Sequence, residues 1–124
     1  MTLASQPNSH VFVVQESRYV KDGNTVTHDY SSLYPYGRVS FLLPSSRRQK
    51  EESKLTELEM LIQNLEGFVP ARDYLVFSGD PVLCAQAAIV AYNLTEDGEN
   101  IQVLKWNRKA GLFEPVTLHL PVIN

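Results

Sequence analysis

Ser78-Gly79-Asp80-Pro81 follows directly on the apolar run Tyr74-Leu75-Val76-Phe77 and opens onto the apolar stretch Val82 to Tyr92. A glycine and a carboxylate at a strand-to-helix turn could line a ligand loop, because open α/β sheets bind ligands outside the carboxyl ends of their strands. Helix N–H groups at such a turn attract anions. Asp80, however, places a negative charge where a phosphate would sit. The same residues also serve folding alone, with Gly79 in the turn, Asp80 as helix N-cap and Pro81 in the first helical position. A single glycine is far from a phosphate-cradling Gly-x-Gly-x-x-Gly or Walker loop.

Arg47, Arg48 and Lys50 are a second group. They follow the strand ending at Leu43, and if that strand runs parallel to the one starting at Asp73, both loops share one rim of the sheet. Ser78, Gly79, Asp80, Arg47, Arg48 and Lys50 together would then form an anion or nucleic-acid contact. Salt links from the basic loop to Glu51 and Glu52 are the plainer alternative. A third group is Trp106 with Lys105, Asn107, Arg108 and Lys109 near a hairpin tip. An aromatic ring flanked by bases can stack on a nucleobase or anchor a protein partner, or the indole can pack beneath the hairpin. Tyr34 and Tyr36, with Tyr30, suit a protein interface or cap an end of the sheet.

Catalytic chemistry finds little support. His10, His28 and His119 have no short ligand spacing, so neither a metal nor a cofactor is expected. Cys84 lies in the most apolar segment, where a small buried thiol packs and does not react. No serine occupies a Gly-x-Ser-x-Gly elbow.

The elements that must position these residues are readable from periodicity. His10 to Glu16 is a buried strand, and Arg18 to Asp29 is a weak hairpin turning at Lys21-Asp22-Gly23-Asn24. Tyr30 to Gly37 is an aromatic loop leading to the strand Arg38–Leu43, which Pro44 stops. From Glu51 onward, Leu55, Leu58, Leu61, Ile62 and Leu65 recur at helical spacing until Gly67 and Pro70 end the helix. Asp73 to Gly79 reads as the next strand. The helix after it is apolar nearly all round and is expected to be mostly covered by protein. Ile101–Trp106 and Leu112–Leu120 form a C-terminal antiparallel hairpin, with Pro115 marking an edge strand.

The order strand-helix-strand-helix-strand implies right-handed crossovers and parallel pairing. The expected fold is therefore a single α/β domain over residues 10–124: a mixed, mostly parallel sheet of about five strands, two main helices and the C-terminal hairpin. Residues 1–9 read as a loose polar end. At 124 residues, 44% apolar and net charge −3, the chain can bury a core and lacks the overall basic footprint of a nucleic-acid binder. One cysteine allows no internal disulfide, and no signal peptide or membrane span is visible, which together predict a soluble protein of a reducing compartment.

In order along the chain stand Val11-Phe12-Val13-Val14-Gln15, His28-Asp29-Tyr30-Ser31-Ser32 and Tyr36-Gly37-Arg38-Val39-Ser40-Phe41-Leu42-Leu43-Pro44. Asp73-Tyr74-Leu75, Gly79-Asp80-Pro81, Val103-Leu104-Lys105-Trp106-Asn107-Arg108 and Pro115-Val116 complete the pattern. On these motifs the chain resembles a family of small proteins of unassigned activity encoded by tailed bacteriophages and prophages. The resemblance implies viral origin and a setting in the host cytoplasm. Relatives commonly carry Leu-Lys-Trp-Asp-Arg where this chain has Asn107 in place of the acid.

Three functions follow as expectations. The foremost is a non-enzymatic protein that binds a host or phage protein or assembles with itself, with Trp106, Arg108, Lys109, Tyr34 and Tyr36 as contacts. The others are a small-molecule or nucleotide binder or enzyme at the rim formed by Ser78–Pro81 and Arg47–Lys50, and a nucleic-acid-binding accessory protein contacting through Arg47, Arg48, Lys50, Trp106, Arg108 and Lys109.

Overall fold

A computed structural model of the chain describes residues 8–44, 56–95 and 98–121. The elements run β1 (His10–Gln15), β2 (Arg18–Lys21), β3 (Asn24–Thr27), a short 3-10 helix (Ser31–Tyr36), β4 (Arg38–Leu43), α1 (Glu57–Asn64), β5 (Tyr74–Val76), α2 (Pro81–Leu94), β6 (Ile101–Asn107) and β7 (Leu112–Leu118). Five strands form one sheet in the order β4-β1-β5-β6-β7. The first four are parallel and β7 returns antiparallel to β6, as the α/β reading expected. The excursion after β1 is a two-stranded hairpin of its own. Asp22 and Gly23 both take positive φ at its tip, the geometry that lets a two-residue turn follow the strand twist.

Several boundaries differ from the sequence reading. β5 spans only three residues, because Gly79 turns the chain with φ 93° soon after Val76. The stretch from 51 to 55 lies outside the described residues, but α1 starts at Glu57. Thr56 is extended and caps the helix, accepting from the Glu59 N–H while the Glu59 side chain accepts from the Thr56 N–H. This Thr-x-x-Glu capping box is legible in the sequence. Ser9 already belongs to the fold, buried with its carbonyl accepting from the Arg38 N–H at 3.0 Å.

The two faces of the sheet have different cores. Both helices lie on one face, where Leu61, Leu65, Leu83, Cys84, Ala87 and Ala91 pack with Val14, Leu75, Ile101 and Val103. On the opposite face Tyr30 and Leu33 close over Val11, Val13, Val76, Leu104 and Phe113. At the rim where β1 and β5 begin, the buried Asp73 carboxylate accepts from the His10 and Val69 N–H groups at 3.0 and 2.8 Å. The Arg72 guanidinium binds it with two nitrogens at 2.8 and 3.0 Å. Burial opposes the charge of Asp73, but the Arg72 guanidinium and the two amides outweigh it and hold the carboxyl below its ordinary range.

α2 is less covered than the expected mostly covered helix, with only Leu83, Cys84, Ala87, Val90 and Ala91 buried. Val82, Ile89 and Tyr92 are exposed on its outer side, and on α1 Leu58 and Ile62 are exposed while Leu61 alone is buried. The helices rest on the sheet through one stripe each, and nothing in the described fold lies beyond them.

Candidate functional site

The connection from β1 leads to β4 on one side, and that from β5 leads through α2 to β6 on the other. The carboxyl ends of β1 and β5 therefore flank the topological switch point, where α/β sheets open a crevice. The polar cleft present there measures about 420 Å³ and is lined by Gln15, Glu16, Ser17, Arg18, Gly79 and Asp80, with Glu57 and Leu83.

Most polar groups of the Ser78-Gly79-Asp80 turn are already engaged within the fold. The Asp80 carboxylate accepts from the Val82 N–H at 2.8 Å and caps α2, with Pro81 in the first turn. The Asp80 N–H donates to Oε1 of the buried Gln15 at 3.0 Å. A Cβ on Gly79 would come within 2.5 Å of Gln15, so the turn is packed tight against β1. Ser78 Oγ lies 2.9 Å from the Tyr30 hydroxyl, which accepts from the Ser17 N–H at 2.7 Å. In the cleft wall Arg18 pairs with Glu16 at 3.1 Å, and its buried Nε has no hydrogen-bond partner. Arg47, Arg48 and Lys50 lie outside the described residues, so their place relative to Asp80 is not described. Cys84 is buried, and burial pushes its thiol up to about 11, so little thiolate forms at neutral pH.

Trp106 is half-buried on the face opposite the helices. His28 meets it edge-on at 4.6 Å, and Phe113, its cross-strand neighbour, lies 5.0 Å away. Arg108 and Lys109 are exposed at the hairpin turn. Asn107 builds that turn: its Oδ1 accepts from the Ala110 N–H at 3.0 Å and its Nδ2 donates to Glu114 at 2.8 Å. An acid there could keep the first bond, but it would face Glu114 with a like charge. Tyr34 is 66% exposed, whereas Tyr36 packs edge-on against Tyr74 at 5.3 Å.

One surface had no counterpart in the sequence reading. On the helix side, α1 packs on β4 and α2 on β1, with Leu75, Ile101 and Val103 in the same core, while the hairpin β6-β7 reverses directly and brings no helix of its own. Phe77 and Val116 are left 42% and 46% exposed there. They line an apolar groove of about 320 Å³ with Val103, Lys105, Thr117 and Leu118. A second groove of about 450 Å³ lies beside it, between Ile89 and Tyr92 of α2 and Leu118–Pro121. The signal in the sequence was the pairing of an apolar hairpin with a turn too short to hold a covering helix.

The fold and its surfaces define a small α/β protein built on one five-stranded sheet, with a polar cleft at the switch point and an open apolar face on its hairpin. The chain belongs to the Phage Pam3 gp32-like protein family, whose model matches residues 9–120. No curated protein and no solved structure matches it. Among the described residues, no helix is long and apolar enough to cross a membrane.

Proposed function

We propose that this phage protein acts by binding protein in the cytoplasm of the infected cell, and that the open helix-side face of β6-β7 is its docking surface. One observation supports this most: Phe77 and Val116 stay exposed beside Ile89 and Tyr92 on a sheet whose remaining helix side is covered. Contiguous exposed apolar surface of this kind marks interaction sites. Edge pairing is an unsuitable alternative. The Phe113 N–H is taken by Ser32 Oγ at 3.0 Å, and Pro115, the next residue facing the same way along edge strand β7, has no N–H.

The test is recovery of a tagged chain from infected cells, compared with Val116→Glu. The reading expects a host protein, a phage protein or an untagged copy with the parent and its loss with the variant. Identical recoveries from both would refute it.

A second reading has its own support in the unpartnered Arg18 Nε at the switch-point cleft. A small polar molecule offering an acceptor oxygen would satisfy that N–H. Ligands of this class should raise the melting temperature by binding the native state, and Arg18→Gln should remove the shift. The absence of any shift across a panel of sugars, nucleosides and amino acids would end this reading.

A further inference from the structure

We propose that the occupant of the open face is a second copy of this chain, joined by a two-fold axis parallel to the strands and midway between β6 and β7. This rests on the docking reading above and names its partner. The register supplies the argument. Cross-strand partners sit at one height along the sheet: Ile101 beside Leu118, Val103 beside Val116 and Lys105 beside Glu114. Alternation places all six side chains on the helix side, since Ile101, Val103 and Leu118 pack into the helix-side core.

Rotation about the proposed axis lays β6 of one protomer over β7 of its partner without changing height. Val116 then meets the partner's Val103, and the exposed Lys105 meets the partner's Glu114. The operation returns the same two contacts in the opposite sense, which is what an isologous interface requires. The face thus has an apolar centre with one cation and one anion placed to neutralise each other across the axis. Two sheets packed face to face stand roughly 10 Å apart, about the thickness of a helix layer. The partner's hairpin therefore fits the slot beside α2, against Ile89 and Tyr92. The blocked edge of β7 directs the contact to the face.

The experiment is sedimentation velocity on the purified full chain over a wide concentration range, with circular dichroism confirming that each variant is folded. The parent should dimerise, and Val116→Glu should be monomeric. Lys105→Glu and Glu114→Lys should each weaken dimerisation at least tenfold, because each homodimer then faces like charges. Mixed in equal amounts, the two charge variants should recover a dimer, since every contact across the axis is again a Lys–Glu pair. A parent that stays monomeric, or charge variants that fail to recover on mixing, would overturn the proposal. If the parent is monomeric while Val116→Glu still loses a different protein from infected cells, only the second copy is refuted and the docking reading stands. If Val116→Glu changes neither result, both fall.

Discussion

The two sides of the β6-β7 hairpin carry similar residues and meet different fates. On one side Trp106 and Phe113 are roofed by His28, Tyr30 and the turn at Ser32. On the other side Val116 and the neighbouring Phe77 line an apolar groove that none of the described residues covers. Apolar character alone therefore does not mark a core position. What separates the two sides is connection length: the long excursion from β1 to β4 crosses one face and covers it, whereas the hairpin turn covers nothing. Surface left open by topology is available for function, and surface closed by it supplies stability.

Substitutions on the two sides should differ most in stability. Phe113→Ala removes a ring that is 3% exposed and touches Trp106, Tyr30 and His28. It should cost about 3–5 kcal/mol in denaturant unfolding. A cost under about 1 kcal/mol would mean that the closed face is not a core.

Asp73 tests the frame that both faces share. Its carboxyl is held below the ordinary range in the fold, so its contribution is complete above the unfolded value of about 3.9 and is lost as pH falls through the folded value. Asp73→Asn should cost about 2–3 kcal/mol at neutral pH. The two proteins should converge in acid, and parallel stability curves down to low pH would contradict this account.

Gly79→Ala sharpens the comparison at the rim. Its φ of 93° and the 2.5 Å approach to Gln15 both oppose a side chain, so a loss of about 1–3 kcal/mol is expected by thermal unfolding. The smallest effect belongs to the open face. At concentrations low enough to keep the chain monomeric, Phe77→Ser should change stability by no more than about 0.5 kcal/mol, while lowering binding of a hydrophobic dye. A large destabilisation there would show that the face is closed after all.

Much of the fold was legible because its signals are local. Asp80 and Pro81 start α2 by their own backbone chemistry, and Pro115 marks an edge strand by its missing N–H. The Gly79 turn was legible as a turn, but its tight seat against Gln15 was not, because that contact joins the ends of two different strands. Trp106 was harder still. Its basic neighbours suggest an exposed anchor, yet its environment comes from His28, far upstream in the chain.

By itself the sequence determined the α/β class, both helices, the antiparallel hairpin and the inert setting of Cys84, since hydrophobic period, caps and turn residues act over a few positions. Only the tertiary structure decided the strand order β4-β1-β5-β6-β7, the cleft between β1 and β5, and which half of the helix face stays open. Those depend on which face each crossover takes and how far it reaches, a long-range packing outcome that no local residue pattern encodes.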